Sequence, residues 1–462
     1  MSSPSVAAAR PVHLVSETNW GAISAQLPPF SRAYAESAGF KPTSARLLLL
    51  PGKDGSISAA LFGIGADEGL GESPFLTGKL ATDLPAGPWR IEGKLADPTL
   101  CYLGFLLGQY RFERFKMAAR EAVSLLAPEG ADTPRAQLIA SAICAGRDLI
   151  NRPANDLTTE ALAFAAHELA GRFRANIREI VGPDLLTANF PLVHAVGAAA
   201  AHPPRLVDLT WGDPKAMKVT LVGKGVVFDT GGLNLKPDSS MLLMKKDMGG
   251  AATALAAAEM IMGLNLPVRL RVLLPIVENA VSGPAFRPGD IFRSRAGITV
   301  EIGNTDAEGR LILCDALSYA DEEKPDLLID FATLTGAARV ALGPDLPPYY
   351  TEDEHLAQRI EAAGRAAHDP VWRLPLWKPY RSMLDSKVAG INNVSSGGFA
   401  GSITAALFLK DFVKNSKSYA HFDMYGWTPS ARPGRPEGGE PQVARLVVEL
   451  VEGLKKDRTT KS

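Results

Sequence analysis

Between residues 219 and 413 the chain alternates short, almost continuously apolar runs with longer apolar helical stretches. The runs 219–228, 268–277, 298–302 and 327–334 are strand-like, while 248–262, 311–320 and 405–413 carry helical spacing, the first apolar nearly all round. A strand without a polar face must be covered on both sides, and strands separated by helices form parallel sheets. The fold expected is therefore α/β: a larger C-terminal domain with a mostly parallel central sheet covered by helices on both faces, preceded by a smaller α/β N-terminal domain. In that first part the apolar runs 47–50 and 59–62 are set between Gly/Pro turns and carry no chemical motif. The stretch 127–135, with two prolines and a glycine, breaks the chain. Pro134 then opens a helix on which Leu138, Ile139, Ala142, Ile143 and Leu149 share a face. The expected division is a small domain over 1–130, a linker helix over 131–152, and the chemistry-bearing domain over 153–462. The Pro/Gly/Arg-rich stretch 428–441 is expected as a loop and the tail 455–462 as frayed.

Composition narrows the functional classes. Lys plus Arg is 49 against 50 Asp plus Glu, a net charge of −1, which speaks against nucleic acid or an anionic membrane as the main partner. Cys101, Cys144 and Cys314 are too few for a disulfide framework in 462 residues, so a reducing, cytoplasmic setting is expected. The opening MSSPSVAAARPVHLV lacks the apolar core of a secretory leader, although a first 16 residues without acids leave a transit peptide open. No apolar run approaches the ~18–20 residues that cross a bilayer.

Four carboxylates stand at the edges of expected elements. Asp229 follows a strand, Asp247 precedes a helix, and Asp306 and Glu308 lie between a strand and a helix. Loops at the carboxyl ends of parallel strands converge on one crevice. Four acids gathered there repel one another unless cations compensate, and two divalent ions supply +4 against −4. Hard oxygen donors suit Mg, Mn or Zn. Lys224, Lys236 and Arg310 lie in the same segments. A lysine beside such ions must pair with a carboxylate or lose its proton and ligate as an amine. Taken singly, each acid reads first as an ordinary helix cap or surface charge and each lysine as a solvated side chain; only the set points to a metal site.

Other chemistries fail on spacing. Gly223-Lys-Gly225 lacks the remainder of a phosphate-binding loop, and His167-Glu168 lacks the second histidine of a zinc-protease helix. No Gly-x-Ser-x-Gly elbow occurs. His194, His202 and His421 are remote from the acids in sequence and read as core or surface residues, and Cys314 as buried.

The segment Asn304-Thr-Asp-Ala-Glu-Gly-Arg-Leu311 matches a signature of the leucyl (cytosol) aminopeptidase family over all eight residues. Val222-Gly-Lys-Gly-Val-Val-Phe-Asp229-Thr-Gly-Gly-Leu-Asn-Leu-Lys-Pro237 resembles that family's metal- and substrate-binding strand and loop. Met244-Lys-Lys-Asp-Met-Gly-Gly-Ala251, Asp330-Phe-Ala-Thr-Leu-Thr-Gly336 and Ala400-Gly-Ser-Ile-Thr-Ala405 are similar to three further blocks, in order. The resemblance spans about residues 151–423.

The resemblance implies a two-metal aminopeptidase that removes N-terminal residues from peptides. It makes Lys224, Asp229, Asp247, Asp306 and Glu308 the ligands of two divalent ions, Mn2+ or Zn2+, with Asp229 and Glu308 bridging and Lys224 bound as the neutral amine. A metal-bridged hydroxide would attack the scissile carbonyl. Lys236 and Arg310 match the catalytic positions, Lys236 at the carbonyl and Arg310 anchoring a bicarbonate. Met244, Asn304, Thr333, Leu334 and Gly336 would line the pocket for the first side chain, favouring Leu-like residues with broad tolerance. A cytoplasmic homohexamer is implied as well. Two departures bear on specificity: Tyr425 and Trp427 stand where relatives more often carry small residues, and the stretch after them is unusually rich in Pro and Arg. Two other readings stay open, a nucleic-acid-binding regulator on the same scaffold and a two-metal hydrolase of another bond.

Overall fold

The computed structural model describes residues 9–116 and 122–459, the last five by backbone alone. Residues 1–8 of the opening segment and 460–462 of the tail lie outside the described residues. The chain forms two units. The first comprises Met1–Cys144 with Ser430–Glu437, the second Ala145–Pro429 with Gly438–Ser462. Part of the Pro/Arg-rich stretch thus belongs to the first unit while the chain on either side of it belongs to the second.

The first unit is built on a five-stranded sheet in the order Leu47–Pro51, Ile57–Gly65, Arg10–Ser16, Gly87–Glu92, Val123–Leu125. Only the Leu47–Pro51 edge strand runs antiparallel to its neighbour. Val15, Leu50 and Leu61 pack there with Leu27, Ala35 and Phe40. The two apolar runs of the sequence are the two strands at this edge.

The second unit carries the large sheet. Its order is Trp372–Arg373, Pro348–Tyr350, Tyr419–Asp423, Leu327–Ala332, Met217–Gly223, Val268–Asn279, Arg205–Trp211, Asn176–Val181, with Gly225–Asp229 beside the end of Val268–Asn279. Five pairings are parallel and three antiparallel; four of the parallel ones form the centre, and the fifth joins Trp372–Arg373 to Pro348–Tyr350 at one edge. Val222, Leu273 and Leu328 pack against the helices Pro191–Gly197, Glu308–Asp321 and Gly401–Lys410. The helix Gly249–Gly263, buried at every residue but the last, packs on the same central strands and covers the other face. Covering both faces is what the apolar runs require, because alternate side chains of each strand point to opposite sides.

Two runs resolve differently from their sequence pattern. The run 219–228 is two strands, Met217–Gly223 and Gly225–Asp229, interrupted at Lys224. There the Lys224 backbone N–H donates to Phe331 O (3.0 Å) and its carbonyl accepts from Ala251 N (2.8 Å), ties that hold the break in place. The run 298–302 supplies Thr299–Glu301, which pairs with Ile291–Arg293 and Ile391–Asn392 in a small separate sheet. Apolar runs of this length report burial but not the sheet that receives them. The last helix, Ala444–Thr459, takes in residues 455–459 of the tail expected to fray. No described helix is long and apolar enough to cross a membrane.

Candidate active site

The acids arrive on three segments that meet beside the carboxyl ends of the central parallel strands. Asp229 ends Gly225–Asp229, Asp247 sits in the short helical turn Met244–Met248, and Glu308 opens the helix Glu308–Asp321 with Asp306 just before it. Thr333 follows the strand Leu327–Ala332. Local bonds shape each loop. Thr305 Oγ1 donates to Gly231 O (2.6 Å) and accepts from Asn234 N (2.9 Å), which ties the segment 229–236 to the segment 304–308. Gly231 adopts φ +89°, and a Cβ there would lie 2.5 Å from Asn234 O. A Cβ on Gly309 would lie 2.5 Å from Lys224 Cε, so the lysine reaches the acids only across a glycine.

Lys224 Nζ lies 2.7 Å from Asp247 Oδ2 and 2.9 Å from Glu308 Oε1, and donates to Thr333 O (3.1 Å). Lys236 Nζ lies 2.8 Å from Asp229 Oδ2 and 2.5 Å from Asp306 Oδ1. Asp229 Oδ1 accepts from Gly231 N (2.9 Å) and Asn279 Nδ2 (2.8 Å), and Thr333 Oγ1 donates to Asp247 Oδ1 (2.8 Å). One oxygen each of Asp229, Asp306 and Glu308 lie within 4.8 Å of one another. Asp247 Oδ2 and Asp306 Oδ1 are buried without a hydrogen bond; each faces an ammonium off the bonding direction.

Crowding shows in the proton equilibria. Burial first, then Asp229, pushes Glu308 up to about 8 and Asp306 up to about 6, and burial raises Asp247 as well. Burial alone would lower Lys224 and Lys236, but their carboxylate neighbours outweigh it and hold both above the usual lysine range. Crowded carboxylates, two of whose oxygens lack hydrogen bonds, form a hard donor set suited to divalent cations. A bound cation would drive the protons off and reverse the balance at Lys224.

Ten of the residues singled out from sequence line one cavity of about 630 Å³: Lys224, Asp229, Lys236, Met244, Asp247, Asp306, Glu308, Thr333, Leu334 and Gly336. Asn304 and Arg310 are not among its lining residues. Asn304 Oδ1 accepts from Asp306 N (2.7 Å), so its side chain shapes the acid-bearing loop. Arg310 is buried, donates to Asn393 O (2.6 Å), and keeps a buried Nε without a hydrogen bond; burial lowers it to about 10. His421 lies in the core, Nδ1 2.7 Å from Asp330 Oδ1, and Cys314 is buried.

The structure brings in three residues that the sequence reading does not single out, Lys246, Arg339 and Asp423, beside Tyr425, which the sequence marks as a departure bearing on specificity. Lys246, Arg339 and Tyr425 line the cavity. Burial lowers Lys246 to about 8. Asp423 organises the Leu334–Thr335 turn, accepting from both backbone N–H groups (3.1 Å each) and from Thr335 Oγ1 (2.6 Å). An acid ending a strand was the available signal for Asp423; Lys246 and Arg339 carried none.

A mostly parallel sheet whose strand ends gather buried carboxylates around paired lysines defines an α/β protein with a divalent-metal hydrolase site. The match to known proteins is more specific. The model of the cytosol aminopeptidase family, catalytic domain, matches residues 144–448, and that of the M17 aminopeptidase, N-terminal domain, residues 11–128. A crystal structure of cytosol aminopeptidase from Coxiella burnetii superposes with a TM-score of 0.92 at 42% identity, covering 96% of this chain and 97% of that one. The bottromycin maturation enzyme BotP in complex with Mn gives 0.88 at 34% identity, over 97% and 99%. A probable cytosol aminopeptidase of Chlorobium limicola is 36% identical over 457 residues, 89% of this chain and 90% of its own length. The chain belongs to the cytosol aminopeptidase family and is a metal-dependent peptidase.

Proposed function

We propose that this enzyme is a two-metal aminopeptidase of broad specificity that releases N-terminal residues, Leu-like ones among them, from peptides. The observation that carries the reading is the convergence of Asp229, Asp306 and Glu308 within 4.8 Å, with two lysines, on one cavity. Lys224, Asp229, Asp247, Asp306 and Glu308 would hold two ions, Mn2+ or Zn2+. When bound, the ions supply a Lewis acid for the amide carbonyl, an activated water, and an anchor for the free α-amine.

The chain's own groups do the rest. Lys236 donates to the carbonyl oxygen as negative charge develops on it. The unpaired Nε of Arg310 favours a small anion such as bicarbonate near the Glu308 helix, where it would carry a proton between water and the leaving amine. Met244 and Leu334 give apolar contact to the first side chain, and Asp423 holds the turn that presents Leu334. Residues 153–462 are assigned as the catalytic domain, and a cytoplasmic homohexamer is the assembly the resemblance favours.

Protein loaded with Mn2+ or Zn2+ is expected to cleave Leu-p-nitroanilide and Leu-Gly-Gly, to leave the N-acetylated forms intact, and to lose metal and activity together in Asp306→Ala. Equal cleavage of blocked and free peptides would overturn the assignment.

A further inference from the structure

Lys224 and Lys236 each meet two carboxylates, but the third lysine on the cavity wall meets none. Lys246 is only 5% exposed, makes no ion pair among the described residues, and faces the ring of Tyr425 with Nζ 4.6 Å from its centroid. Arg339 stands at the same ring, its guanidinium carbon 5.2 Å from the centroid and Nη1 3.4 Å from the phenol oxygen, and it too forms no ion pair among the described residues. The ring is held in place from behind. Gln442 Oε1 accepts from the N–H groups of Tyr425 (3.1 Å) and Gly426 (3.0 Å), while Gln442 Nε2 donates to Pro344 O (2.8 Å).

Two cations sharing one aromatic ring repel each other, and a ring quadrupole replaces only part of the hydration a buried ammonium gives up. An anion reaching both would relieve the repulsion. No nearby acid is free to serve. Asp229, Asp247, Asp306 and Glu308 are engaged with Lys224 and Lys236, and Asp423 spends its oxygens on Leu334, Thr335 and Ser402. Metal ions on the acid cluster would remove what attraction it exerts on Lys246. The missing anion must therefore enter with the substrate. Lys246, Arg339 and Tyr425 line the same cavity as Thr333 and Leu334, so that is where the anion would be met.

We propose that Lys246 and Arg339, set against Tyr425, bind the side-chain carboxylate of an acidic N-terminal residue, so that the enzyme selects Glu and Asp over Gln and Asn at that position. The proposal rests on the aminopeptidase reading of the cavity and adds a specificity determinant to it.

The test compares isosteric substrates on the Mn-loaded enzyme: Glu-α-p-nitroanilide against Gln-p-nitroanilide. The wild type is expected to favour Glu in kcat/KM by about tenfold, the scale of a charge-assisted contact. Lys246→Met should bring the ratio near or below one, Lys246→Arg should restore part of it, and Arg339→Gln, at an exposed position, should lower it without threatening the fold. Free L-glutamate should raise the Tm of the wild type more than L-glutamine does, a difference lost in Lys246→Met. Equal wild-type rates on Glu and Gln, or a ratio untouched by either substitution, would overturn the proposal while leaving an aminopeptidase. Slower cleavage of Leu-Gly but not of Leu-p-nitroanilide by the variants would also overturn it, since the cations would then serve a dipeptide's C-terminal carboxylate. Failure to cleave any unblocked amide would instead remove the aminopeptidase reading beneath it.

Discussion

Replacing Lys236 by Ala should push metal affinity and turnover in opposite directions. In the structure its ammonium lies 2.8 Å from Asp229 Oδ2 and 2.5 Å from Asp306 Oδ1, the latter an oxygen with no hydrogen bond. At an effective dielectric of about 20, each contact carries about 6 kcal/mol of gross attraction. Desolvation and the ordering of a long side chain return most of it, leaving about 1–2 kcal/mol net for a partly exposed pair. An incoming cation needs those oxygens and must displace the ammonium. Removing the competitor is therefore worth about tenfold in metal affinity, since ~1.4 kcal/mol is a factor of ten. The same change removes a donor aimed at developing oxyanion charge, a loss of about 10²–10³ in kcat. Calorimetric titration of Mn2+ into metal-free wild type and variant gives the first quantity, and steady-state cleavage of Leu-p-nitroanilide at saturating metal gives the second. A weaker Kd together with an intact kcat at saturating metal would refute the reasoning, because Lys236 would then build the metal site without touching the reaction.

Two further outcomes follow from the buried titrating groups. With Glu308 at about 8 and Asp306 at about 6 in the metal-free protein, Mn2+ uptake should release protons and weaken as pH falls from about 8 to 6; calorimetry in buffers of different ionisation enthalpy reads the proton count, and a count of zero would contradict the raised values. His421 is pulled down by burial, but Asp330 at 2.7 Å outweighs this and raises it above 6.5, so the pair's stabilisation is full below pH 6.5 and is lost as pH rises through the folded value. Asp330→Asn, which also weakens the Tyr419 hydroxyl bond (2.8 Å), should cost about 3–5 kcal/mol and flatten that pH dependence in denaturant titrations.

The alternating runs made the α/β class legible because a side chain's burial shows directly in the period of the pattern. The acids were legible for a related reason: Asp229, Asp247, Asp306 and Glu308 lie where elements end, and elements of a parallel sheet end at one rim. Boundaries and partners were less legible. In the run 219–228 the Gly223-Lys224-Gly225 interruption marks a weak point in the strand, but the ties that hold the break, to Phe331 and Ala251, come from elsewhere in the chain.

What the chain determined by itself was therefore the kind of sheet and the inventory of charged groups at its rim. Tertiary structure decided which of those groups share a space. It turned Asn304 toward the backbone of its own loop, set Arg310 against Asn393, and brought Lys246 and Arg339 to one face-bearing residue, Tyr425. Periodicity reports only whether a residue faces inward. The contacts between segments far apart in sequence depend on strand register and helix packing, which no local pattern encodes.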